Sequence, residues 1–130
     1  MNFNALYSQK VLKHFRHPQN MGEIKHPDGM AMVGNPRCGD VMRLFIKVGK
    51  KKDQEYIKDI KFQTLGCAAA IASSSMLTLM VKGKPLKEVE KISRKAIAKA
   101  LGGLPPQKIH CSVLAGEALK KAIENYRAKR

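Results

Sequence analysis

The spacing of apolar residues changes from helical to strand-like within the first half of the chain. Over residues 3–16 the apolar positions recur at helical spacing, which predicts an amphipathic helix. Alternating apolar and polar positions then predict three strands, Met30–Val33, Val41–Val48 and Tyr56–Leu65. The last two strands are joined by a charged hairpin connection, Gly49–Glu55. Adjacent strands with turn-length links predict an antiparallel meander.

The second half of the chain is predicted to be helical. Cys67–Val81 lacks a strong periodicity, which is typical of a helix that is buried nearly all round. Shorter helices are predicted at Leu86–Ile92 and Arg94–Leu101, and a long helix runs from beyond two prolines through Tyr126. Strands followed by helices predict an α+β fold. We expect residues 1–130 to form one domain, a three-stranded antiparallel sheet packed on one face by helices, with N-terminal and C-terminal helices among them.

The stretch Leu101–Ala115 presents a histidine and a cysteine side by side at the start of the last helix. Its two glycines let the chain leave the preceding helix with φ > 0, and its two prolines keep the next residues extended. At about 100° per residue, Cys111 lies at the edge of the apolar stripe and His110 points toward the polar side. The stripe comprises Cys111, Ala115, Ala118, Leu119, Ala122, Ile123 and Tyr126. Cys111 alone is compatible with a small core residue as well as with a chemical role.

Composition narrows the classes of function. Hydrophobic residues make up 44% of the 130 residues, but no run reaches the roughly 18 apolar residues of a membrane span. The N-terminus lacks the basic and then apolar order of a signal peptide, so we expect a cytoplasmic protein without a membrane partner. The formal net charge of +15 comes from dispersed lysines and arginines. This dispersal favours solvated faces, or docking to an acidic partner, over nucleic-acid binding.

The three cysteines, Cys38, Cys67 and Cys111, form no C-x-x-C pair, which argues against a disulfide framework or a zinc ribbon. Each lies at a predicted element boundary, and two lie at helix starts, where partial positive charge favours a thiolate. If the thiolates converge, Asp40 and His110 are the neighbours able to complete four-fold coordination of zinc or of an iron–sulfur cluster. Asp40 could instead cap a turn or a strand. A carboxylate or imidazole ligand should make a cluster easier to release than four cysteines would.

Three ordered blocks of sequence surround these residues. They are N-P-R-C-G-D (Asn35–Asp40), G-C-A-A-A-I-A-S-S-S-M (Gly66–Met76) and L-P-P-Q-K-I-H-C-S-V-L-A (Leu104–Ala115). The blocks closely resemble the signature blocks of the IscU/NifU-type iron–sulfur cluster assembly scaffold family, in its stand-alone IscU form. Tyr7–Gly22 is similar to the family's N-terminal helix and following loop. The resemblance spans about residues 5–127, with no obvious room between the second and third cysteines for the extra segment of the zinc-bearing SufU branch.

The resemblance implies a scaffold and not an enzyme. A [2Fe-2S] cluster would be assembled on it from iron and desulfurase-derived sulfur, and then passed to apo-proteins. Cys38, Cys67 and Cys111 would be the sulfur ligands, with Asp40 and His110 as additional candidates. Cys111, on an exposed loop, would be the acceptor of persulfide sulfur. Zinc would occupy the same residues in the resting form.

The resemblance also implies partners. These are a cysteine desulfurase, a ferredoxin or other electron donor, apo iron–sulfur acceptor proteins, a frataxin-like protein, a DnaK-type chaperone system, and a second subunit in a cluster-loaded homodimer. Tyr7 matches a tyrosine implicated in subunit pairing in some relatives. Leu104–Lys108 matches the block that the chaperone system reads, although Gln107 stands in place of the common valine.

Three other functions remain compatible with the residues themselves. A structural zinc protein would use the same Cys, Asp and His ligands for stability only. A Cys–His enzyme would use Cys111 as its nucleophile, although the adjacent His110 points about 100° away along the helix. A basic nucleic-acid binder would require tight, strongly salt-dependent binding of a duplex.

Overall fold

The computed structural model of the chain describes residues 7–35, 40–92, 94–104 and 109–129, and the side chains of residues 35, 40, 94 and 110 lie outside the description. The described ranges contain three strands and five helices. In chain order these are α1 (Gln9–Arg16), β1 (Gly29–Asn35), β2 (Asp40–Lys51), β3 (Gln54–Leu65), α2 (Ala68–Val81), α3 (Leu86–Val89), α4 (Arg94–Ala100) and α5 (Ile109–Lys129).

The strands form one sheet in the order β1-β2-β3, with both neighbouring pairs antiparallel. The predicted α+β fold and antiparallel meander are confirmed. The connection between β2 and β3 is shorter than predicted, because the ladder continues through the charged residues to a pair between Lys51 and Gln54. Only Lys52 and Asp53 remain in the loop, and both have positive φ, 51° and 64°. These values match the tight hairpin turns whose twist fits that of the flanking strands.

A register shift between Lys47 and Val48 explains which residues of β3 are buried. Lys47 pairs with Asp59, whereas Val48 pairs with Ile57, so β3 contains one extra residue at this point. Because of this extra residue, Ile57 and Ile60 lie on the same face of the sheet although they are three positions apart, and both are fully buried. Simple alternation would have placed them on opposite faces.

The first described helix, α1, begins at Gln9, and residues 7 and 8, which the sequence predicts to be helical, lie outside it. Ser8 is its N-cap, and the Ser8 hydroxyl accepts a hydrogen bond from the N–H of Val11 at 3.1 Å. The same hydroxyl donates to the carbonyl of Leu101, just beyond α4. The predicted helix over 3–16 is therefore wrong at residues 7 and 8, which precede the helix that Ser8 caps at Gln9. Residues 1–6 lie outside the described ranges.

The helices cover one face of the sheet, as predicted. The apolar stripe of α5 packs on β1 and β2, and α2 packs on β3. Gly29, at the start of β1, permits a close approach of α5, because a Cβ atom there would lie 2.3 Å from the carbonyl oxygen of Ala122. Within the described ranges, none of the helices has the length and apolar character needed to cross a membrane.

A polar contact joins the N-terminal segment to α2. The Nδ1 atom of His14 lies 2.7 Å from the Oγ atom of Ser75, and the backbone N–H of Gln19 donates to the same oxygen at 2.8 Å. Burial, assisted by the charge of Lys13, lowers the pKa of His14, which keeps the ring mostly neutral near neutral pH. Ser75 therefore anchors both α1 and the loop after it to α2.

Two neighbouring serines of α2 are expected to respond oppositely to replacement by alanine. Ser73 is fully buried, and its hydroxyl has no hydrogen-bond partner among the described residues. Ser73→Ala should therefore stabilise the fold by about 1 kcal/mol, whereas Ser75→Ala should cost about 1–3 kcal/mol because the Gln19 N–H loses its acceptor. Urea denaturation of the metal-free protein measures both changes. Destabilisation by Ser73→Ala equal to that by Ser75→Ala would contradict this assignment.

Candidate metal centre

Two of the three cysteines lie in contact where three elements meet. Cys67 connects the end of β3 to the start of α2, and Cys111 lies in the first turn of α5. Their Sγ atoms are 3.8 Å apart, although 44 positions of sequence separate the two residues. The fold therefore brings together two thiols that the sequence places far apart.

Cys67 is held as the N-cap residue of α2. Its backbone is extended, with φ −82° and ψ 177°, and its carbonyl accepts hydrogen bonds from the N–H groups of Ala70 and Ile71. The Cys67 side chain makes no capping hydrogen bond and is partly exposed. The first turn of α2 contains no acidic residue, so the partial positive charge of the helix N-terminus favours negative charge on the sulfur.

Cys111 is completely buried. It packs against Ala69 and Ala70 of α2, and partly buried Tyr7 and Leu104 adjoin this cluster. The expectation that Cys111 lies on an exposed loop is wrong, because α5 begins two residues before it and its side chain is directed to α2. The methyl side chains of the alanines leave room for the sulfur between the two helices.

The separation of the two sulfur atoms suits a shared metal ion. Thiolate sulfurs bind tetrahedral zinc or iron at about 2.3 Å, so two such ligands on one metal stand about 3.8 Å apart. The Sγ atoms of Cys67 and Cys111 are at 3.8 Å, a distance that fits the edge of such a tetrahedron. A metal could therefore bind both sulfurs without a large movement of either helix.

The remaining predicted ligands have no described side chains. Cys38 lies outside the described residues, and only the backbone is described for Asp40 and His110. Among the side chains that the structure does describe, no three His, Cys, Asp or Glu residues form a metal site. The roles of these three residues remain predictions.

The backbone of Asp40 lies at the same end of the sheet as the last residue of β3, from which the chain continues to Cys67. Asp40 is the first residue of β2 and pairs with Asn35, while the next residue, Val41, pairs with Leu65 of β3. Leu65 is two residues before Cys67. The register thus brings the start of β2 and the start of α2 to the same edge of the molecule.

Residues 6–130 match the family described as NifU-like N terminal domain. The chain belongs to this family. It is 59% identical over 121 residues to iron-sulfur cluster assembly scaffold protein IscU 1 of Archaeoglobus fulgidus. This alignment covers 93% of this chain and 76% of that protein. It is 50% identical over 127 residues to iron-sulfur cluster assembly scaffold protein IscU of Escherichia coli K12. This alignment covers 95% of this chain and 96% of that protein.

A solved structure agrees on the fold. The N-terminal part of a NifU-like nitrogen-fixing protein from Brucella abortus superposes with a TM-score of 0.72 at 19% identity, over 96% of both chains. At that identity the likeness concerns the fold alone. The much higher sequence identities to the two named scaffolds extend the likeness from fold to function. Together with the family match, they show that this chain is an IscU-type iron–sulfur cluster assembly scaffold and not an enzyme.

Sequence reasoning identified the cysteines of this NifU-like domain but missed the difference in exposure between two of them. The three consecutive alanines after Cys67 were a usable signal. Small side chains in the first turn of a helix allow another element to approach closely, and the first turn of α5 occupies that space.

Proposed function

We propose that this scaffold assembles a [2Fe-2S] cluster on Cys38, Cys67 and Cys111, with Asp40 or His110 as a further, non-sulfur ligand. The observation that carries the proposal is the 3.8 Å separation between the Sγ atoms of Cys67 and Cys111. Two thiols that are already spaced as ligands of one metal need little rearrangement to bind iron.

The non-sulfur ligand accounts for the release of the cluster. Iron in a cluster prefers thiolate sulfur, so a carboxylate or an imidazole is the ligand most readily replaced by a thiolate of an acceptor protein. The Asp40 backbone at the edge of the sheet supports this role for its carboxylate. The scaffold then transfers the cluster by ligand exchange and performs no bond-making catalysis on another substrate.

The proposal includes the partners that such chemistry needs. A cysteine desulfurase supplies sulfur, a ferredoxin or other electron donor supplies electrons, and apo iron–sulfur proteins accept the cluster. The net charge of +15 favours acidic surfaces on these partners. A frataxin-like protein, a cluster-bridged homodimer and cytoplasmic placement belong to the same proposal, as does a DnaK-type chaperone that tolerates Gln107.

Anaerobic reconstitution tests the proposal against a structural zinc site. The metal-free protein, given ferric iron and inorganic sulfide, should develop sulfide-to-iron absorption in the visible region, and should lose it when an apo-ferredoxin is added. Cys67→Ser and Cys111→Ser should each reduce the absorption strongly, because each removes a thiolate ligand. A metal-free protein that develops no visible absorption, together with a zinc-loaded protein that keeps its zinc in the presence of iron, would contradict the proposal and favour the structural zinc protein.

A further inference from the structure

We propose that Ser8 is a positioning residue of the metal centre. Its hydroxyl holds Tyr7 and Leu104 in place against the buried cluster that contains Cys111. These two side chains limit the access of external ligands to that thiol. The inference rests on the proposed function, since it concerns one of the two thiols that would bind the same metal.

The Ser8 hydroxyl joins the start of one helix to the end of another. It accepts a hydrogen bond from the N–H of Val11 at 3.1 Å, which caps α1. It also donates to the carbonyl of Leu101, the residue after α4. The last carbonyls of a helix have no partner within that helix. Because Leu101 is completely buried, its carbonyl has no solvent to accept from instead.

Two side chains next to this contact pack against the cluster of Cys111. Tyr7 immediately precedes Ser8 along the chain. Leu104 lies three residues after Leu101. Both side chains are partly buried and adjoin the cluster. The hydrogen bond between the two backbone segments therefore holds both of these side chains where they cover the thiol.

The turn after α4 allows the two segments to approach closely. A Cβ atom added to Gly102 would lie 3.3 Å from the Cβ atom of Ser8 and 3.4 Å from its Oγ atom. Gly102 has a φ of 81°, which residues with a side chain rarely adopt. The turn thus presents bare backbone to Ser8, and the hydroxyl can reach the Leu101 carbonyl.

Access to Cys111 depends on this packing. Cys111 is 0% exposed, whereas Cys67 is partly exposed. An external thiol or chelator can contact the Cys111 sulfur only when the packing opens locally. Loss of the Ser8 donor makes this opening easier, because the Leu101 carbonyl is then buried without its partner in the closed state. The opening becomes more frequent while the rest of the domain stays folded.

Ser8→Asp separates the two hydrogen bonds of the hydroxyl. Aspartate is as good an N-cap acceptor as serine, but its carboxylate cannot donate to the Leu101 carbonyl. Ser8→Ala loses both bonds. The metal-free variants are treated with iodoacetamide, an uncharged reagent, and labelling of each cysteine is followed by mass spectrometry. Both variants should label Cys111 at least about tenfold faster than the parent. Cys67, which is already accessible, should change by no more than about twofold.

Ile57→Val is the matched control for a general loss of stability. It removes one methyl group from a fully buried residue that belongs to the main core and not to the cluster of Cys111. Far-ultraviolet circular dichroism checks that all variants fold, and Ile57→Val should label Cys111 at the parent rate. Parent-rate labelling in Ser8→Asp would overturn the proposal, since the hydroxyl would then act only as a cap. Equal acceleration in Ile57→Val would also overturn it, because general loosening would then explain the effect.

The cluster-loaded protein gives a second measurement. Loss of visible absorption to excess EDTA should be at least about fivefold faster in Ser8→Asp than in the parent, because the chelator reaches the site more often. An unchanged rate would contradict the claim that this packing limits access to the metal centre. Failure of the proposed function is distinguishable, since a parent that forms no cluster from iron and sulfide refutes that function, whereas alkylation measures the packing without metal.

Discussion

Asp40→Cys is expected to slow transfer of the cluster to an apo-ferredoxin by at least about tenfold, which corresponds to about 1.4 kcal/mol in activation free energy. If Asp40 is the non-sulfur ligand of the proposed cluster, its carboxylate is the ligand that iron holds least firmly, so an incoming thiolate replaces it most easily. A fourth cysteine removes this weak point. The start of β2 lies at the same edge as Cys67, so a thiol there replaces the carboxylate at the same backbone position.

The rate is measured as the appearance of the ferredoxin spectrum after anaerobic mixing with the cluster-loaded scaffold. Asp59→Cys is the matched control, because it makes the same exchange of carboxylate for thiol on β3, where Asp59 forms an ion pair with Lys82. This control should transfer its cluster at the parent rate. Equal rates for Asp40→Cys and the parent would show that the carboxylate does not limit release.

Gly29→Ala is expected to destabilise the fold by about 2–4 kcal/mol, as overpacking against a rigid neighbour does. The new Cβ atom would lie 2.3 Å from the carbonyl oxygen of Ala122, 3.0 Å from the Cβ atom of Tyr126 and 3.1 Å from the Cδ1 atom of Ile46. The first of these is a backbone atom of a helix and cannot rotate away. Relief requires α5 to move off β1, and α5 carries Cys111.

Gly116→Ala is the control, and its expected effect on the free energy of unfolding has the opposite sign. Gly116 is an interior residue of α5, and an added Cβ atom there would meet nothing within 4 Å. Alanine in a helix interior should therefore stabilise by about 0.5–1 kcal/mol relative to glycine. Urea denaturation of the metal-free proteins measures both changes. A Gly29→Ala variant as stable as the parent would contradict the close packing of α5 on β1.

Alternation was sufficient to predict the sheet and the order of its strands, and helical spacing, together with the apolar run after Cys67, predicted the approximate positions of the helices. What they could not predict depends on contacts between elements. The extra residue of β3 opposite Lys47 and Val48 is visible only in the pairing of two strands. The helical spacing of residues 3–16 likewise gave no sign that the Ser8 hydroxyl contacts Leu101, a residue 93 positions away, and caps a helix that begins at Gln9.

At the candidate site, too, some features could be predicted from the sequence and others depend on contacts between elements. Residue types and the positions of cysteines at element boundaries predicted which side chains to consider, and the family resemblance predicted their roles. The burial of Cys111 depends on the alanines of α2 that pack against it. The approach of α5 depends in turn on Gly29, a residue that looks like part of an ordinary turn in the sequence. Exposure is a property of the packed molecule. The helical spacing placed Cys111 at the edge of the apolar stripe, whereas the exposed loop that the family resemblance implied for this thiol was wrong.

Iron K-edge X-ray absorption of the cluster-loaded protein tests most directly whether Cys67 and Cys111 bind one cluster. We expect a first shell of mostly sulfur with a minority of nitrogen or oxygen, and a lower sulfur count in both Cys67→Ser and Cys111→Ser. A first shell that keeps the parent's sulfur count in either variant would contradict it, because that cysteine would then not be a ligand.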